Sequence, residues 1–220
     1  DDAYPRKDWL SKAVVHFQNT DIAAVGGPGV TPPESSLFQR VSGAIYASFL
    51  VSGKFTYRYI PGKLQEVDDF PSCNLLVRKD IFASAGGFST AFWPGEDTKL
   101  CLDITKLLHK KILYDPEVLI YHHRRKSFKS HLQQISNYAL HRGYFVKKFP
   151  ETSLRLPYFI PSIFTFCILL GALSAWLIPP LRIPYLFCAF VYLIPVFLYS
   201  VYAGSTEKAR LHTFQRVALI

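Results

Sequence analysis

Two stretches of this chain, Leu156 to Leu181 and Ile183 to Thr206, run for 26 and 24 residues without a charged side chain, and only Arg182 separates them. Each exceeds the ~20 residues an α-helix needs to cross a bilayer core. Pro179, Pro180 and Pro184 around Arg182 make a tight turn, and Trp176, Tyr185, Tyr199 and Tyr202 fall toward the two interfaces. The pair predicts a transmembrane hairpin within residues 156–220, followed by the start of a further apolar segment. Lys147, Lys148 and Arg155 flank it on one side and Lys208, Arg210 and Arg216 on the other. The excess of positive charge on cytoplasmic flanks then places both ends, and the domain before them, on the cytoplasmic face of an inner (plasma) membrane. A buried helical hairpin in a soluble protein is the competing reading.

The net charge of +9 is not spread evenly. Residues 1–123 hold 13 basic and 14 acidic side chains, residues 124–155 hold 8 and 1, and residues 156–220 hold 4 and 1. The basic excess therefore belongs to one block next to the apolar runs, and the part that looks folded is near neutral. A nucleic-acid surface is not what this describes, because such surfaces spread Lys and Arg over a folded face with stacking aromatics between them. Cys73, Cys101, Cys167 and Cys188 show no CxxC spacing, so neither a disulfide framework nor a zinc site is expected, and a reducing location fits. The chain has no Met and opens on Asp1-Asp2, which suggests a piece from within a longer protein.

Before the apolar runs, helical and extended patterns alternate. Asp8 precedes Trp9, Leu10, Ala13, Val14 and Phe17 at helical spacing; 21–27 reads as a buried strand; Leu37, Val41, Ile45 and Phe49 share one helical face. A strand over 72–78, a short helix over 79–85 closed by Gly86-Gly87, a helix over 98–111, and strand pieces at 112–114 and 118–121 complete an α/β domain with a mixed sheet over 1–126. Residues 127–155 form a basic juxtamembrane segment. Phe128, Leu132, Ile135 and Ala139 recur there at helical spacing among Lys129, Arg142, Lys147 and Lys148, predicting an amphipathic helix that lies on the lipid interface or packs on the domain.

Three polar clusters fall at the ends of apolar runs, where α/β sheets place their chemistry. The carboxylates of Asp1 and Asp2 suit a hard divalent cation such as Mg or Mn, although acidic pairs also serve as solvated turns. Glu96 and Asp97 stand at a helix start, where a carboxylate acts as a general base or simply caps the helix. His122 and His123, followed by Arg124 and Arg125, end the last strand and offer a metal ligand, a phosphate donor or an ordinary packing residue.

Taken in order, Asp-Asp-Ala-Tyr-Pro, then Cys73 to Arg78 with Gly86-Gly87-Phe88, then Pro94-Gly95-Glu96-Asp97-Thr98, then Pro116 to His122-His123, then an apolar hairpin, resembles the family 2 glycosyltransferases of the GT-A fold. The resemblance covers residues 1 to about 150 and implies the C-terminal part of a Rossmann-like GT-A domain without its nucleotide-recognising first half. It implies that Asp2, with Asp1 beside it, belongs to the motif that holds a divalent metal and the donor diphosphate. It also implies that Asp97 is the catalytic base with Glu96 its neighbour, and that His122, or His123, completes the metal and phosphate site. Gly86, Gly87 and Trp93 correspond to the loop that shapes the acceptor site. Arg124, Arg125 or Arg142 offer cations to steady the phosphates, with solvation or lipid contact the competing role for each. The implied reaction is inverting transfer of a sugar from a nucleotide-sugar donor to a lipid-linked or glycan acceptor at the membrane, as in cell-envelope polysaccharide biosynthesis. A Gln-x-x-Arg-Trp segment, which processive members carry, is absent, so a single-sugar transferase is expected. A catalytically inactive membrane-anchored module and a metal-dependent phosphotransferase on lipid-linked substrates are the alternatives.

Overall fold

The computed structural model describes residues 2–217, and for Thr90 and 208–217 the backbone alone. It is a mixed α/β structure with two mixed sheets and two long apolar helices at its C-terminal end. Asp1 and the side chains of Lys208, Arg210 and Arg216 lie outside the described residues.

The first sheet orders β1 (Ala3–Pro5), β7 (Ile120–His122) and β3 (Gly29–Val30); the second orders β4 (Gln65–Val67), β6 (Lys111–Tyr114), β2 (Ile22–Gly26) and β5 (Leu75–Val77). The single mixed sheet expected from the sequence is thus divided in two. The cause is local. β2 pairs parallel with β6, and β3 pairs parallel with β7, so the same two stretches of chain run side by side through both sheets. They break at the same level, one at Gly27-Pro28 and the other at the Asp115-Pro116 turn. A Cβ on Gly27 would lie 1.8 Å from the Val118 carbonyl oxygen, so the backbones approach at a distance that only glycine permits.

The core forms where β2 and β6 meet the helix α5 (Glu96–Leu102). Ala23, Ala24, Phe70, Leu100, Cys101, Ile104, Ile112 and Tyr114 are buried together there. Several boundaries differ from the sequence reading: the helical face expected through Leu37, Val41, Ile45 and Phe49 is broken, one helix ending at Tyr46 and Phe49 starting another after Ser48. Residues 72–74 are a 3₁₀ turn, so that strand starts only at Leu75. The helix expected over 98–111 begins at Glu96, leaves α-geometry after Leu102 and passes through a π-turn over Asp103–Leu107. On the opposite face of β2, α1 (Trp9–Val14) buries Ala13 against Val25 and Val118. Asp8 precedes α1, but its carboxylate is held by Arg6 at 2.5 Å and makes no cap. α4 (Lys79–Ser84) ends as expected: Gly86 and Gly87 take φ of +80° and +70°, and their N–H groups donate to the carbonyls of Ala83 and Phe82, a Schellman closure.

α6 (Phe128–Lys148) lies on the domain. Its buried Phe145 packs edge-on to Phe92 and Phe149, and His141 presses so close to Gly95 that a Cβ there would sit 2.1 Å from the His141 Nε2. The outer stripe of Phe128, Leu132 and Ile135 remains exposed. α7 (Pro150–Ser153) then leads into α8 (Leu156–Leu177) and, after a 3₁₀ turn, α9 (Arg182–Val217). Both are long and apolar enough to cross a membrane, and only 6% of each apolar window is covered by the rest of the chain. The helices touch through Phe164 and Tyr192, and at Gly171 against Tyr185. At the turn, Arg182 donates from Nε to the Ala175 carbonyl.

The hairpin is tied back to the domain. α2 (Leu37–Tyr46) opens on a capping box between Ser36 and Gln39 and packs on α9, where Arg40 Nε donates to Glu207 Oε2 at 3.0 Å with both side chains buried. Arg155 holds Asp68 at 2.6 Å just before α8, and Tyr158 in its first turn stacks on Phe55. Arg40 also donates from Nη1 to the Pro33 carbonyl, and hydrogen bonds to charged groups contribute ~1.5–3 kcal/mol. Arg40→Ala is therefore expected to lower thermal stability by an amount of this order and to expose the α2–α9 junction to protease, read by melting and limited proteolysis of the purified protein in detergent.

Candidate active site

β1 and β7 pair antiparallel with Ala3 opposite His122, and the His123 N–H donates to the Asp2 carbonyl. This register brings Asp2 and His122 together, with Oδ2 and Nε2 3.6 Å apart. Partial burial and the cation of Arg124 lower the His122 pKa, which keeps the ring neutral and free to accept or coordinate at neutral pH. The two histidines have different neighbours. His123 bonds Ser35 through Nδ1 at 3.0 Å and its ring lies beside Tyr4, so it is spent on packing.

Asp97 arrives from the first turn of α5. Its Oδ1 accepts from its neighbour Thr98 N–H at 2.7 Å and its Oδ2 from Ser72 N–H at 3.1 Å, so the carboxylate is aimed toward the 3₁₀ turn that carries Cys73. Desolvation raises its pKa, and the nearby Asp69 and Glu96 push the same way, against the two backbone donors. A carboxylate at a helix start is ordinarily made more acidic; here burial and like charge win, which is the direction a general base needs.

Cys73 joins the two halves. Its thiol keeps open surface yet is walled by enough protein to push its pKa up to about 11, and it lies in the field of Asp97, Asp2, Arg124 and Arg58 together. Tyr138 of α6, half exposed, feels the same groups: partial desolvation raises its phenol, and Asp97 and Cys73 act in the same sense. Cys73 thus lies within electrostatic reach of Asp2, the partner of His122, on one side and of Asp97 and Tyr138 on the other.

The arginines divide their work. Arg125 stays half exposed 3.9 Å from Asp2, free to meet an anion. Arg124 is fixed by the Gly29 carbonyl and Thr31, with its guanidinium close to the stacked rings of Tyr46 and Tyr59. Arg142 turns away to Ser153, to the ring of Tyr158 and to Asp69. Glu96 points toward α6 and not toward Asp97's partners; its Oε2 and the His141 Nε2 are both buried without a hydrogen bond. Gly86 and Gly87 serve the turn after α4, and Trp93 stands 68% exposed on the loop that runs into α5.

Asp69 was not singled out in the sequence. It accepts from Thr98 Oγ1 at 3.1 Å and lies near Arg58 and Arg142, directly behind Asp97. Reading Asp68-Asp69 as one acidic pair before a strand was the available signal.

Among the described residues no group of three or more His, Cys, Asp or Glu gathers as a metal site. Asp2 and His122 make an open pair of one oxygen and one nitrogen donor, and such a pair suits a divalent cation that takes its remaining ligands from substrate phosphates and water. Comparison with protein-family models and with curated protein sequences finds no match to this chain.

Alkylation of Cys73, followed site by site by mass spectrometry, is expected to keep accelerating well above pH 9, the ordinary thiol value. Because Asp97 helps hold the thiol up, Asp97→Asn moves this curve to lower pH.

Proposed function

We propose that this chain is the C-terminal part of a GT-A glycosyltransferase of family 2, moving a sugar from a nucleotide-sugar donor to a membrane-associated acceptor with inversion and without processivity. The observation that carries the reading is the carboxylate–imidazole pair at Asp2 and His122 together with the carboxylate of raised pKa at Asp97, Asp2 and Asp97 both lying within electrostatic reach of Cys73. The parallel pairs running through both sheets and the two apolar helices that follow are in keeping with such a domain held against a membrane, its chemistry on the cytoplasmic face.

In an inverting transfer negative charge grows on the departing diphosphate while the attacking hydroxyl becomes acidic, as at the two ends of inverting glycoside hydrolysis. Asp97 accepts the hydroxyl proton on the acceptor side. Arg125 and the neutral His122 meet the diphosphate on the other, with Asp2 orienting the imidazole. A divalent cation bound with the donor's phosphates by Asp2 and His122 would supply charge neutralisation of the leaving group. Trp93 at the rim offers a flat apolar face to an acceptor sugar.

Loss of a general base removes ~10²–10⁴ in rate. In membranes holding the full-length protein, assayed over a panel of nucleotide sugars with and without Mn, Asp97→Asn is expected to lose transfer by that factor with little change in donor KM. Near-normal transfer would refute the assignment. Because Asp97 works only when ionised and its pKa is raised, the acid limb of the rate profile lies above the usual aspartate range of the parent and vanishes in the residual activity of Asp97→Asn. Asp2→Ala is expected to abolish the response of the rate to Mn.

A further inference from the structure

The segment after α2 presents an apolar surface that water does not explain. In α3 (Phe49–Ser52), three consecutive side chains stand almost bare: Phe49 is 77% exposed, Leu50 72% and Val51 56%. Isolated exposed apolar residues are ordinary, but three adjacent large ones at the tip of a projecting turn mark a contact surface. α2 itself is inverted in the same sense. It buries Gln39, Arg40 and Gly43 against the protein and leaves Leu37 and Phe38 at the surface.

Its position says what covers this surface. α2 and α9 run antiparallel: Arg40 meets Glu207, and Ala44, further along α2, accepts from Tyr199 of α9. Glu207 closes the apolar window of α9, and Tyr199 lies eight residues back inside that window, about 12 Å along a helix axis. Following α2 toward its C-terminus therefore leads from the edge of the apolar zone into it, and α3 comes next. On the far side of α3, Phe55 stacks on Tyr158 in the first turn of α8. The tip is thus bracketed by the beginning of one apolar helix and the end of the other, continuous with their uncovered surface.

The backbone is prepared for lipid as well. Groups at the end of a helix that water would usually satisfy must find partners within the protein when no water is present. Here Ser48 Oγ donates to the Ile45 carbonyl and Ser52 Oγ to the Tyr46 carbonyl, while the N–H groups of Val51, Ser52 and Gly53 are all bonded within the turn. Lys54 follows at once and is exposed, placed to reach the headgroups.

We propose that α3 is a lipid-inserted wedge: Phe49, Leu50 and Val51 enter the acyl chains just below the headgroups of the leaflet where α8 begins and α9 leaves. The wedge gives the domain a further point of attachment beside the hairpin and so fixes its tilt on the bilayer. It rests on the membrane-spanning reading of α8 and α9 and is independent of the chemistry at Asp97.

The test uses the full chain in lipid nanodiscs, in a Trp176→Phe background, with tryptophan placed at Leu50 and, separately, at Phe49. Leu169→Trp in α8 serves as the control for the span. The lipids are phosphatidylcholines brominated either near the headgroup end or near the middle of the chains. Added emission at 50 and 49 is expected to be blue-shifted, quenched more by the shallow bromines than by the deep ones, and protected from aqueous acrylamide, while position 169 is quenched by bromolipid as a spanning residue. Quenching at 169 with acrylamide access and no bromolipid quenching at 50 and 49 would overturn the wedge alone. Absence of bromolipid quenching at all three would overturn the spanning reading and the wedge with it. Protection at 50 from both quenchers, with a dimer on size analysis, would assign the surface to a second copy of the chain and also overturn the proposal.

Discussion

The antiparallel register that sets Ala3 opposite His122 is the constraint on which the candidate site depends. It joins the first strand of the chain to the last, and through it the Asp2 carboxylate reaches an imidazole that no local sequence pattern connects with it. Because the His123 N–H is bonded to the Asp2 carbonyl in the same ladder, a slip of one residue would exchange the two histidines between the Asp2 side and the Ser35 side. Register here does the work that coordination geometry does in a preformed metal site.

The second constraint is the break shared by both parallel strand pairs. Gly27 passes so close to the Val118 carbonyl that no side chain fits, and this crossing divides one run of sheet into two. The seam it leaves is where Asn74, almost fully buried, bridges the Trp9 indole and the Val118 carbonyl, directly beside Cys73. The segment that carries Cys73 is therefore pinned to the α1 side through Asn74.

Much of this was legible in the sequence because it rests on short-range chemistry. The uncharged runs after Arg155 and the glycine pair after α4 each carry their own local signal, and those elements stand where the signals put them, whereas the helical spacing from Leu37 holds only to Tyr46, with Phe49 on a separate turn. The division of the sheet had no such signal, since it follows from the contact of Gly27 with a carbonyl far along the chain. The same holds for Asp69, on which Thr98, Arg58 and Arg142 converge, and for Arg124, whose place beside two stacked tyrosines hides behind a plain basic run. Arg142 is the instructive case. Its charge suggested an anion, but Tyr158, Ser153 and Asp69 already occupy it.

That occupation has a mechanical side. From Tyr158 on the first turn of α8, contacts pass through the Arg142 guanidinium to Asp69 and on to the hydroxyl of Thr98, whose own amide holds the Asp97 carboxylate. Three side chains thus join the first turn of the apolar helix α8 to the Asp97 carboxylate, so the seating of α8 and the setting of that carboxylate share one chain of contacts.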